Sequence, residues 1–242
     1  FILTQPMSTF LVYLLGVLTV GAGMHFLWIR AAEISRLWWG ISLLLWGTGA
    51  LLAGTSYQAF GYEIKCAGRQ VCAWTSWWEV IYLMFQQASM SAMLVAVAYS
   101  CTTGPLQRLL LAYAAVNAVI YVVVTFVGGI VPIKSLITFN LMVWVSAPIL
   151  LIFLVLNGWR YYMLGGTMDL ALLGTWILLI LTCGAYYLYD YLDITRRLWA
   201  RGDGRWFSQN DLLHICLIFW VLFILAVVAD RVKDYPGPGI AA

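Results

Sequence analysis

Three polar stretches interrupt an otherwise apolar chain, and they hold the groups that chemistry would need. Gly54-Thr55-Ser56-Tyr57-Gln58-Ala59-Phe60 closes one apolar run. Thr75-Ser76-Trp77-Trp78-Glu79 opens the next, which continues through Gln86, Gln87, Ser89 and Ser91. Ser208-Gln209-Asn210-Asp211-Leu212-Leu213-His214 opens the last. His214, Glu79, Asp211 and Ser56 are the candidate catalytic residues, types that suit metal-assisted or general-base hydrolysis. Ser56, Gln58, Glu79, Gln86, Asn210 and His214 are the candidate lining of a polar pocket, because polar side chains at membrane depth are functional candidates. Asn210 and His214 are four apart and share one helical face, the spacing two metal ligands on a helix use. An amide is a poor zinc ligand, however, so His214 stands alone as a weak metal candidate. No metal or other cofactor is expected.

Each group also has a structural role open to it. Ser76-x-x-Glu79 has the form of a capping box, and Ser208-x-x-Asp211 comes close to one. Gln86 and Gln87 can bond across helices. His214 is expected buried and neutral, bonded to Glu79 or Ser56, and a His214 without a partner would remove the case for a pocket. His25 lies toward the far end of the first apolar run, where an interhelical hydrogen bond is its expected use. Other chemistries are excluded. There is no Gly-rich phosphate loop, no Lys in the last run to anchor retinal, and no charge series of a pump or voltage sensor. The two His stand in opposite halves of the membrane, which disfavours a bis-His haem. No pair of opposite charges is expected inside the membrane, and a net charge of +3 does not argue for nucleic acid.

The elements that must position these groups are set by composition. Of 242 residues, 64% are hydrophobic and only 10% charged, where a soluble domain carries roughly 25% charged residues. A bilayer core needs about 20 apolar residues in a helix. Seven stretches qualify: Thr9–Ala31, Leu37–Phe60, Trp77–Cys101, Leu109–Val127, Leu136–Asn157, Leu170–Tyr189 and Asp211–Val228. Uninterrupted runs of this length satisfy their backbone as helices rather than as barrel strands. The expected fold is therefore all-α: a polytopic seven-transmembrane-helix bundle forming one domain over residues 1–242. No segment reads as a cleavable signal peptide.

Seven crossings put the loops Gly61–Trp74 and Asp190–Gln209 on the N-terminal side. The tail from Arg231, with its helix-breaking Pro236-Gly237-Pro238-Gly239, lies opposite. The three polar stretches then share one side and are expected to converge one or two turns deep. Lys and Arg number seven on the N-terminal side (Lys65, Arg69, Lys134, Arg196, Arg197, Arg201, Arg205) and six on the other, so the positive-inside rule does not set the orientation. Cys66 and Cys72 share one polar loop, and a disulfide between them requires an oxidising compartment. Reduced thiols or half a metal site are the alternatives. The disulfide places the N-terminus outside, periplasmic or luminal, and the C-terminus in the cytoplasm. Cys101, Cys183 and Cys216 read as small hydrophobes. Gly16, Gly21 and Gly23 facing Gly47, Gly49 and Gly54 are expected to let the first two helices approach closely. Trp and Tyr near the span ends read as an interfacial belt.

With these motifs the chain resembles the seven-helix CREST superfamily, which includes alkaline ceramidases and the progestin and adiponectin receptors. Gly54–Phe60 is similar to that family's second-helix motif, with Gln58 where a His is expected. Glu79 matches its third-helix acid, and Asn210–His214 is similar to its seventh-helix pair, with Asn210 in place of the first His. The resemblance implies a zinc-dependent lipid-amide hydrolase fold. Because two imidazoles are replaced by amides, it also implies a scaffold that has lost its metal.

The expected function is a non-catalytic integral membrane protein: an accessory or structural subunit of a membrane complex, or a lipid-binding scaffold. Its partners would be membrane lipids and other membrane protein subunits. A metal-dependent lipid-amide hydrolase is the first alternative and a seven-helix receptor or transporter the second.

Overall fold

A computed structural model describes residues 5–131, 133–201 and 207–236. The expectations that fall on Asp203, Arg205 and Gly237–Gly239 lie outside those residues. All regular structure in the described residues is helical. Seven helices are long and apolar enough to cross a membrane. They are α1 (Pro6–Trp28), α2 (Ile34–Ala53, running on as a π turn over Gly54–Ala59), α4 (Trp77–Cys101), α5 (Gly104–Ile130), α6 (Phe139–Leu164), α7 (Thr167–Tyr191) and α9 (Gln209–Phe223, running on as a π turn over Ile224–Val228). Short helices α3 (Gly61–Lys65) and α8 (Ile194–Ala200) sit in the two long loops.

The helix ends follow local chemistry. Pro6 opens α1, where its missing N–H costs nothing. Ser76 accepts from Glu79 N at the start of α4, and Thr138 accepts from Leu141 N at the start of α6. Gly165 stops α6 in the left-handed conformation at φ 63°. α2 has no cap of its own. Asp234 of the C-terminal tail supplies one, accepting from Ile34 N at 2.8 Å and Ser35 N at 2.7 Å. Arg36 fastens the same tail by donating to the carbonyls of Val232 and Asp230.

Three boundaries depart most from expectation. α5 starts at Gly104 rather than Leu109, so Arg108 lies inside it. α6 starts at Phe139, with Leu136 and Ile137 in a 3-10 turn (Lys134–Ile137). At its other end α6 continues to Leu164, so Arg160 lies inside the helix rather than in a loop. The glycine seam also differs in detail. Gly16 and Gly47 face each other, as do Gly23 and Gly40; a Cβ on Gly47 would stand 2.8 Å from the Gly16 carbonyl oxygen. Gly54 meets Val12 and Gly49 meets Gln86 of α4, whereas Gly21 faces open space.

Helices α1, α2, α4, α6, α7 and α9 form a closed ring of neighbours, and α5 packs outside it against α4. On the side of the C-terminal tail the ring is filled by aromatic rings. Phe26 stacks on Trp39, Trp39 on Trp176, and Trp176 on Phe153 at a centroid distance of 4.1 Å. Toward the N-terminal side the ring is hollow.

Candidate functional site

The hollow is a cavity of about 660 Å³ walled by all six helices of the ring and by none of α5. Its polar end, termed the mouth, lies toward the N-terminal side, among Gln5, Tyr57, Gln58, Thr138 and Asn210. Its floor is Leu15, Trp46, Met90, Leu150, Leu179 and Leu217. Phe139 and Leu150 both touch it, so it reaches about 16 Å along α6 at 1.5 Å per residue, close to half of the bilayer core. The π turn at the end of α2 bears on the mouth, since it carries both Tyr57 and Gln58; such turns often mark functional sites.

Gln58, Gln86, Asn210 and His214 line this one cavity. Gln86 donates to the Trp46 carbonyl at 3.1 Å. Tyr57 and Tyr82 meet edge to face on the wall, 5.8 Å between centroids. Ser56 and Glu79 do not line it. Ser56 is buried on the π turn, with no partner for its hydroxyl among the described residues. Glu79 sits at the start of α4, where its carboxylate accepts from Lys65 Nζ at 2.7 Å and from Thr75 Oγ1 at 3.0 Å. Lys65 also lies over the Tyr57 ring at 5.2 Å. Asp211 is buried and fully engaged: Ser8 Oγ donates to Oδ1 at 2.5 Å, and Ser208 N and Oγ donate to Oδ2 at 2.6 and 2.9 Å. The full capping box forms at Ser208, where Oγ accepts from Asp211 N and Asp211 Oδ2 accepts from Ser208 N. At Ser76 only half of the expected box forms, Oγ accepting from Glu79 N while the Glu79 carboxylate goes to Lys65 and Thr75.

His214 is not bonded to Glu79 or Ser56. It is 8% exposed, on the cavity wall, and its Nδ1 has no hydrogen-bond partner among the described residues. The expected partners fail for a physical reason: Glu79 is drawn to the Lys65 ammonium, and Ser56 sits on the buried side of its turn. A cavity nonetheless exists around His214, so a missing protein partner does not argue against a pocket. His25 is exposed on α1 and forms no interhelical hydrogen bond among the described residues.

The residues present do not fit a catalytic zinc. No group of three or more His, Cys, Asp and Glu is placed to hold a metal among the described residues. Of the nearest donors, Asp211 is committed to its cap and Glu79 to Lys65, which leaves on the cavity wall one imidazole, the Cys183 thiol and amides such as Gln58, Gln86 and Asn210, not gathered into a ligand set.

Two polar assemblies go beyond the sequence-based reading, which holds only that Gln86 and Gln87 can bond across helices. Leading outward from the cavity wall, Ser146 of α6 donates to Gln87 Oε1 at 2.6 Å, Gln87 donates to Asn117 Oδ1 at 2.6 Å, and Asn117 donates to the Val145 carbonyl. Isolated polar residues in apolar helices, Asn117 and Ser146 among them, were the available signal. At the opposite end of the bundle, Arg160 donates to Asp169 Oδ1 at 2.9 Å. Asn157 donates to the same carboxylate, Trp176 Nε1 donates to Asn157, and the guanidinium lies 4.6 Å from the Tyr235 ring centroid. This is a buried ion pair within the spanning helices, contrary to expectation. It arises because α6 outruns its most apolar stretch. Cys66 and Cys72 form a disulfide, with Cα atoms 4.2 Å apart, in the loop that follows α3. Comparisons of the chain with protein-family models, curated proteins and solved structures find no match to any of them, and the cavity itself carries the functional reading.

Proposed function

We propose that this integral membrane protein binds a lipid-like amphiphile in its cavity and does no covalent chemistry of its own. The observation that carries this is a half-membrane-deep hollow with a polar mouth and an apolar, aromatic floor, the lining expected of a small-molecule site. The engagement of both Asp211 and Glu79 supports the non-catalytic part, since neither carboxylate is left to act as a base on the cavity contents. The resemblance to the CREST superfamily supports a lipid-handling scaffold as well. Gln58 and Asn210, the two amides standing where that family has imidazoles, line the cavity together with His214.

The Cys66–Cys72 bridge supports an orientation in which the N-terminus and cavity mouth face an oxidising compartment, periplasmic or luminal, with the C-terminus in the cytoplasm. As an accessory or structural subunit, the protein would meet neighbouring membrane proteins through the apolar outer faces of α5 and α6, where Val119, Ile120, Leu151 and Val155 are exposed.

The test is mass spectrometry of small molecules that stay with the full chain after purification in mild detergent. A lipid in near-stoichiometric amount is expected from the parent, and most of it should be lost from Ala147→Trp, which fills the cavity from an open position on α6. No retained lipid, or equal retention by the variant, would refute binding. A stoichiometric metal lost in His214→Ala would favour the hydrolase instead.

A further inference from the structure

We propose that the cavity selects a lipid with an uncharged head, one bearing a carbonyl or hydroxyl and no phosphate, and that His214 hydrogen-bonds that head. The inference rests on the binding reading above and specifies its ligand. None of the described residues lining the cavity is Lys, Arg, Asp or Glu. The polar side-chain groups on the wall are hydroxyls, carboxamides, the Cys183 thiol, the Trp46 indole and one imidazole, all uncharged. Of the charged groups close in sequence to that wall, Glu79 is matched by Lys65 and Asp211 by Ser8 and Ser208, while Lys134 and Asp190 are exposed and lie outside the lining. A phosphate brought to this wall would lose its water and gain no counter-charge, which is prohibitive at low dielectric. An uncharged oxygen loses far less and needs one hydrogen bond in return.

His214 is the group that supplies it. Buried polar atoms in folded proteins are paired with few exceptions. On this wall Gln86 has the Trp46 carbonyl and Ser146 has Gln87. His214 lines the cavity, is more than nine-tenths buried and has no hydrogen-bond partner among the described residues; its Nδ1 is covered by the protein, so Nε2 is the ring nitrogen that can meet a ligand. His214 also stands at the right depth. It is one turn of α9 below Asn210 at the mouth and one turn above Leu217 on the floor. A lipid of the same leaflet would place its head beside the imidazole and its chain against Leu217, Leu179, Leu150 and Met90.

The experiment titrates the full chain in phosphatidylcholine nanodiscs with three probes and reads the shift in melting temperature. Dioleoylglycerol and decyl-benzoquinone are the two neutral sources, an acyl lipid and a quinone. Dioleoyl phosphatidic acid shares its chains with the first probe but carries a phosphate. A saturable upward shift is expected with at least one neutral probe and none with phosphatidic acid; which neutral probe acts identifies the source. His214→Leu should weaken the neutral probe about tenfold, the loss of one buried hydrogen bond. His214→Gln, which keeps a hydrogen-bonding group, should restore most of it, a rescue that a purely structural role would not produce. Phosphatidic acid binding as tightly as the neutral probes overturns the selectivity and leaves the binding reading standing. Equal neutral-probe affinity in the parent and the Leu variant overturns the role of His214. If no probe binds and Ala147→Trp matches the parent, the binding reading itself fails.

Discussion

Asp211 and Asp169 are both buried carboxylates near helix starts, and their surroundings give them different consequences. Asp211 accepts only neutral hydroxyl and backbone donors and closes the first turn of α9. Asp169 instead faces a guanidinium and an amide at the other end of the bundle, with Arg160 beside it and Asn157 behind. Breaking a buried pair from one side leaves the other charge without compensation. Replacing both partners by apolar groups does not. Asp169→Ala is therefore expected to destabilise the protein by about 3–5 kcal/mol, whereas the double change Asp169→Leu/Arg160→Met should come out far milder. Thermal denaturation in detergent of the Asp169→Ala variant and the double variant measures this. Equal loss in the single and double variants would show that packing, not charge, holds that corner.

At the scale of elements, α1 and α2 approach closely because two pairs of glycines, Gly16 with Gly47 and Gly23 with Gly40, bring backbone against backbone. In lipid, where apolar side chains gain little by leaving hydrocarbon, such close contact is what holds helices together. Gly47→Val should cost about 1–3 kcal/mol by overpacking against the Gly16 carbonyl and Val20. Gly21→Val should be nearly neutral, because a Cβ there meets nothing within 4 Å. Melting temperatures of the two variants separate these outcomes, and a Gly21 variant as damaged as Gly47 would refute the seam. The glycines stand out in the sequence, but their pairing does not: spacing alone groups Gly21 with the seam and omits Gly40. In a helix apolar on every side, no polar stripe marks the outward face. The same ambiguity hides the Ser146–Gln87–Asn117 chain, whose members lie on three different helices.

For the whole molecule, an odd number of crossings puts the disulfide loop and the C-terminal tail on opposite sides. The proposed orientation exposes the loop to the oxidising compartment. In intact cells, a membrane-impermeant thiol reagent is expected to label a Cys introduced at Val71 and to miss one introduced at Lys233 in a background lacking Cys101, Cys183 and Cys216, with the Cys66–Cys72 bridge retained. The reverse pattern would invert the orientation, and labelling at both positions would undo the seven-span topology.

Several features were legible in the amino-acid sequence alone: seven apolar runs, hence an all-helical membrane protein; the shared side of the three polar stretches; the Cys66–Cys72 pairing; and the capping roles of Ser76 and Ser208. These follow from local causes, namely hydrocarbon thickness, backbone donors that need partners, and short spacing along the chain. The lateral arrangement was decided only by tertiary structure. Four of the anticipated polar residues, Gln58, Gln86, Asn210 and His214, line a cavity, while Glu79 is pulled aside by Lys65 and Ser56 turns into the protein. That arrangement depends on which helices become neighbours and how each is rotated, and lipid as solvent leaves almost no trace of either in the hydrophobic pattern, because the outside of the bundle is as apolar as its core.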